Sequence, residues 1–283
     1  MNLGGTFRLG LVCAIIAAST SAALGQPEQA STNAAPVPSM SANQIPPDVE
    51  KALQMPKGAE QSKALGIAAV AWAKTDPTGA LAWLLKLPQD VAGPLLFPVT
   101  STCGQTNGKL CADWLVQQGT LAALSRLHAL LWAWATGDPV PAAAWCAQAP
   151  KNVRYLAFFS VGDGWGGRKD APAGADWAGK LPDHDDRLAA VRGVAQSWSL
   201  KDLTATTVWI KGLAPEEMKT GAESVVGTKR AFSKGNKDIA GDEASLRAWL
   251  DQLPLSAADK DEVLKSAPIN IYATLRAVTP AAK

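Results

Sequence analysis

Histidine is nearly missing from this sequence: among 283 residues only His128 and His184 are histidines, and they fall in different segments of the chain. That leaves little for a histidine-based metal centre or general base. No H-E-x-x-H, EF-hand loop or Cys-x-x-Cys pattern takes its place, and no G-x-S-x-G or P-loop occurs. Four cysteines, of which Cys13 sits in an N-terminal apolar run, are too few for a disulfide framework. Net charge is scarce as well. The 27 basic residues, Arg8 near the N-terminus among them, face 25 acidic ones, a balance that argues against general binding of nucleic acid or anionic membranes. The apolar run from Leu9 to Ala18 is too short for a membrane span.

What the sequence does have is tryptophan, eleven residues of it. Six of them close a recurring frame in which an Asp or Asn stands seven residues before the Trp. The pairs are Asp76 and Trp83, Asn107 and Trp114, Asp138 and Trp145, Asp170 and Trp177, Asp202 and Trp209, and Asp242 and Trp249, with Trp-to-Trp steps of 31, 31, 32, 32 and 40. An Asp or Asn side chain before a helix accepts bonds from the first free amides and contributes about 1 kcal/mol. Pro77 and Pro139 follow their caps at the position where proline loses nothing. Pro88, Pro150 and Pro182 then close the frame, since proline turns the residue before it out of the helical region. Counted from the cap, position four holds Ala80, Cys111, Ala142, Gly174, Thr206 and Leu246, and position eight holds Leu84, Leu115, Cys146, Ala178, Ile210 and Leu250. With the Trp at seven these share one helix face. Upstream of each cap runs a second helical segment, ending in Trp72, Trp134, Trp165 or Trp198, with Cys103 in that place in the second copy. The unit is helix, tight turn, capped helix, and such a hairpin needs neighbours to bury its apolar face. Each buried Trp contributes up to about 4–6 kcal/mol.

The clearest copy, Ala71 to Pro88, reads AWAKTDPTGALAWLLKLP. It resembles an uncharacterised group of helical-hairpin repeats in exported bacterial proteins, whose units run W-A-x-x-D-P-x-x-A-L-A-W-x-x-x-L-P. The resemblance spans about Ala64 to Pro254, implies an α-solenoid and brings no catalytic residues with it.

Along the chain, residues 1–25 read as a signal peptide, with a core from Leu9 to Ala18 and a small-x-small site at Ala23-Leu24-Gly25 before Gln26. Residues 26–47, rich in Ala, Pro, Ser, Gln and Asn, read as a disordered linker. Residues 48–267 form the expected helical array, and 268–283 a tail of unassigned structure. Pro94 and Pro98 should break or shorten the first helix of the second copy. Gly162, Gly164, Gly166 and Gly167 each weaken the fourth by about 1 kcal/mol. The longer sixth step, with Lys229, Arg230, Lys234 and Lys237, reads as a loop, and Ser256 caps a last helix.

Gly162 to Gly167 fits G-x-G-x-x-G, but that fingerprint needs a strand and a parallel sheet around it; on this lattice it reads as an eroded helix end, and no cofactor is expected. Asp183-His184-Asp185-Asp186 offers hard ligand types, yet four adjacent residues need help to close around an ion. They read as the opening of the fifth helix pair, where acids favour the dipole, and no metal is expected. Cys103, Cys111 and Cys146 occupy positions held elsewhere by Trp, Ala or aliphatic residues and read as small buried side chains. Cys103 and Cys111 also flank one turn, where a disulfide would need Cα atoms within about 7 Å.

Trp132 is the one Trp off the lattice. The equivalent positions are Val70, Ser101, Asp163, Gln196 and Asn236, mostly polar, so the position should face water. Trp132, His128 one turn below it, Asp163 and Gln196 are therefore expected to form a partner-binding stripe. The alternative is a Trp132 that packs under the Pro94–Pro98 segment. The sequence thus predicts an all-α protein, an α-solenoid of about six stacked hairpins, periplasmic or secreted, with no catalytic residues and no stable membrane span after leader removal. Its expected role is a non-catalytic scaffold for a protein or peptide. The competing readings are a carbohydrate or small-ligand binder using exposed Trp, and an enzyme with an unrecognised site near the glycine-rich fourth copy.

Overall fold

In the computed structural model, which describes residues 45–233 and 241–267, the capped frames fold as helices, and no strand occurs among the described residues. Thirteen helices follow one another there. They are α1 Pro47–Leu53, α2 Ala59–Thr75, α3 Pro77–Lys86, α4 Gln89–Gln118, α5 Leu121–Gly137, α6 Pro139–Gln148, α7 Lys151–Gly166, α8 Ala171–Gly179, α9 His184–Lys201, α10 Leu203–Lys211, α11 Pro215–Ser233, α12 Glu243–Leu250 and α13 Ala257–Val263. The fold class is all-α. The leader, the linker up to residue 44, Lys234, Asn236, Lys237 and the tail 268–283 lie outside the described residues, all of which belong to the unit Ser39–Lys283.

Three of the six caps act as the spacing requires. Asp76 accepts from the Gly79 amide at 2.9 Å, Asp202 from Ala205 at 2.8 Å and Asp242 from Ser245 at 2.9 Å. Asn107 leaves the helical region at φ −145°, ψ 47° and so divides α4 into two helices. Asp138 and Asp170 stand at their N-caps without a side-chain cap bond, which corrects the expectation for them. The third residue after Asp138 is Pro141, which has no amide hydrogen to give. Asp170 instead takes the Arg168 guanidinium at 2.7 Å. Thr120, Asp183 and Ser256 cap α5, α9 and α13. Gly119 ends α4 in the left-handed region at φ 64°, which favours glycine.

The long helices pack in chain order: α2 on α4, α4 on α5, α5 on α7, α7 on α9 and α9 on α11. The short helices α3, α6, α8 and α10 each touch the long helix before and the one after. Frame positions four and eight are buried in all six copies. Trp72 meets Trp83, Trp165 meets Trp177 and Trp198 meets Trp209, with ring centroids 5.5–5.7 Å apart. Trp134 instead lies over Gly108, where any Cβ would collide with the indole.

Two expectations about weak helices fail. Pro94 and Pro98 lie inside α4 without ending it. They stand one turn apart on the outer side, Pro94 exposed, where water can satisfy the carbonyls they leave free. The glycines of α7 are not an eroded end but a close-packing surface. A Cβ at Gly162 would stand 2.5 Å from the Ala190 carbonyl oxygen, at Gly164 2.5 Å from that of Trp132, and at Gly166 2.5 Å from that of Val194. Lys229 and Arg230, expected in a loop, belong to α11.

Candidate functional site

The expected stripe is not an exposed row but a seam between α5, α7 and α9, in which Asp163 is buried and His128, Trp132 and Gln196 are half-buried. Asp163 of α7 is only 3% exposed; it accepts a hydrogen bond from Ser197 Oγ and another from Gln196, both on α9. Burial pushes its carboxyl up to about 7 against those two bonds. His128 of α5 stacks on Phe159, with centroids 5.8 Å apart, and its Nδ1 lies 2.9 Å from Ser160 Oγ. Ser160 gives its single hydroxyl proton to the Leu156 carbonyl at 2.6 Å, so His128 Nδ1 must be the donor, leaving the lone pair on Nε2. The residue is half-buried, and the protein encloses it closely enough that burial pushes His128 down to about 4. Trp132 is half-buried against Phe97, with centroids 5.8 Å apart, and its indole nitrogen is buried without a partner. Trp132 therefore packs against the Pro94–Pro98 segment, and the water-facing stripe is corrected. The glycine contacts that bring α5, α7 and α9 close are what sink these side chains between helices.

Ser160, His128 and Asp163 are the residue types of a hydrolytic triad, but the relay is not connected. The Ser160 hydroxyl is spent on Leu156, and Asp163 bonds Ser197 and Gln196 rather than His128. The Asp183–Asp186 run is likewise engaged in structure: Asp183 caps α9, Asp186 pairs with Arg154, and His184 Nε2 lies 3.2 Å from Glu216. Among the described residues no group of three or more metal-ligating side chains forms. The glycines of the G-x-G-x-x-G spacing lie within α7 or cap its end, not at a strand-to-helix turn. Cys103, Cys111 and Cys146 are buried free thiols. A hydrogen bond with Cys111 and burial together raise the Cys103 thiol well above its usual range.

An open cleft of about 890 Å³ lies elsewhere, where the kink of α4 meets the turn from α5 to α6. Its walls are Gly104 to Leu110 and Asp113 on one side and Gly137, Asp138 and Pro141 on the other, with Trp134 beneath. Asp113 accepts from Lys109 at 2.6 Å and from Trp145 Nε1 at 2.7 Å. Burial works to raise its carboxyl, but those bonds outweigh burial and hold it below the usual carboxylate range. Asp138 is exposed and its carboxylate, without a cap bond, makes no hydrogen bond or ion pair among the described residues. Leu110 is 54% exposed at the rim.

The reason for the cleft is visible one junction further along. Arg168, three residues after Trp165, reaches back to α5 and donates to the Thr136 carbonyl at 2.6 Å and the Gly137 carbonyl at 3.0 Å. Lys201, three residues after Trp198, does the same to the Gly167 carbonyl at the end of α7. Lys229 of α11 donates to the Ser199 carbonyl near the end of α9 at 3.0 Å. Each cation satisfies carbonyls that a helix end leaves without an amide, at the negative end of the dipole. Three residues after Trp134 stands Gly137, which has no side chain to send back to α4. Sequence reasoning saw Asp138 only as a cap. The missed signals were Pro141 at the third position after it and glycine in the slot of Arg168 and Lys201. Comparison with protein-family models, with curated proteins and with solved structures gave no match to this chain.

Proposed function

We propose that this chain is an exported, non-catalytic scaffold that binds a protein or peptide, built as an α-solenoid of about six helical hairpins. The recurrent Asp/Asn-to-Trp frame, the in-order packing of the long helices and the burial of frame positions four and eight support the repeat architecture. The apolar run and small-x-small site before Gln26 support export to the periplasm or beyond.

The observation that carries the binding reading is the cleft between α4 and the α5–α6 turn. It is open, walled by acid and amide side chains with an apolar rim, and held by helices on both sides. Such a surface suits contact with another chain, with polar groups fixing orientation around an apolar edge. A photo-crosslinking residue in place of exposed Leu110, introduced in the native host, tests this. Adducts with a defined protein, lost when the crosslinker is moved to exposed Ile67 on α2, are the expected result. Recovery of uncrosslinked chain alone counts against the reading.

A further inference from the structure

We propose that the cleft takes an arginine side chain of a peptide partner, its guanidinium seated between the Asp138 carboxylate and the carbonyls that end the first half of α4. The proposal rests on the binding reading above and names the chemistry of its occupant.

The three later junctions show what such a place takes. At the junction of α7 with α5, Arg168 bonds two terminal carbonyls of α5 with one nitrogen and the Asp170 carboxylate with another. Asp170 is thereby diverted from capping its own helix. At the junction of α5 with α4 the same elements recur without the cation. Asn107 interrupts α4, so the helix before it ends there and leaves its last carbonyls without intrahelical amides. Asp138, the counterpart of Asp170, is likewise uncapped, and here no side chain takes it up. Gly137 stands where Arg168 and Lys201 stand, and the space their side chains fill is open.

Charge and shape agree. Lys109 is spent on Asp113, so the cleft retains one unpaired carboxylate beside a helix C-terminus, and both favour a cation. A guanidinium, planar with five donors, can meet a carboxylate and carbonyls at once, whereas an ammonium offers a point charge. Leu110 and Pro141, both exposed at the mouth, give the flanking residues of the peptide an apolar edge.

The test uses the full mature chain and a displayed library of random nonapeptides. Selected peptides are rebound to Asp138→Asn and to Gly137→Arg, the second placing a guanidinium in the cleft from within the chain. Both variants are checked for unchanged circular dichroism. Enriched peptides should share an arginine, lose at least tenfold in affinity on Asp138→Asn and when that arginine is replaced by citrulline, and fail to bind Gly137→Arg. Peptides that bind but lack a basic residue, or bind both variants as the parent does, would overturn the arginine inference and leave the scaffold reading standing. A selection that enriches no peptide overturns both. The Asp138 side chain makes no cap bond, so its variant keeps the result interpretable even if Gly137→Arg fails to fold.

Discussion

Asp76 and Asp138 have the same residue type, the same place in the frame and the same proline after them, yet only one of them caps its helix. The difference lies in the residue three positions on: Gly79 has an amide hydrogen and Pro141 has none. Asp76→Ala is therefore expected to cost about 1 kcal/mol and Asp138→Ala a few tenths, measured by denaturant unfolding. Equal losses would show that the side-chain bond is not what matters. The seam offers a second test at this scale. Asp163, raised to about 7, holds a proton in the folded state that the unfolded chain releases near pH 4. Its contribution to stability is full below that pH and is lost as pH rises to 7. His128, lowered to about 4, works the other way. The unfolded chain takes up a proton below about pH 6.5 that the folded one refuses, so its contribution is lost as pH falls. Between about pH 4.5 and 6.5 the two slopes oppose, each at most about 1.4 kcal/mol per pH unit. Removing one exposes the other. Asp163→Asn should gain about 1–3 kcal/mol relative to the parent between those pH values, read from unfolding curves at each pH. Parallel pH profiles for the two proteins would contradict the buried-carboxyl account.

At the scale of the element, helix propensity and helix packing point in opposite directions. Glycine in α7 and α9 costs about 1 kcal/mol per residue relative to alanine in an isolated helix. The tertiary contact reverses the sign: a Cβ on Gly193 would meet the Phe159 carbonyl and stand 2.6 Å from the Asp163 amide nitrogen. Since both neighbours are backbone, the helices must separate. Gly193→Ala is expected to destabilise by about 1–3 kcal/mol net, whereas Gly179→Ala, with nothing within 4 Å of the added carbon, should not destabilise through a clash. Thermal melts of the pair decide it, and a Gly193→Ala protein as stable as its parent would mean the helices are not that close. The prolines of α4 teach the same lesson. Read alone they end a helix; placed on its outer side they leave it intact.

Across the molecule from α5 to α11, consecutive long helices are tied by cations that reach from near the end of one to the carbonyls of the helix before. Arg168→Ala should cost about 1 kcal/mol, half-exposed charge pairs being weakened by solvent, and should speed hydrogen exchange at the amides closing α5. Exchange unchanged at residues 134–138 would show that the bridge holds nothing. By itself the sequence determined the all-helical class, the places where the capped second helices begin, and the buried positions four and eight. These follow from capping chemistry and a 3.6-residue period, which act within one turn and can be read locally. Only the tertiary structure decided that Asp163 is buried, that Trp132 rests on Phe97, that glycines bring helices together and that Asp138 stands unpaired beside an open cleft. Each of those depends on what a neighbouring helix places opposite, a distance through space to residues some thirty positions away, and local pattern carries no measure of it.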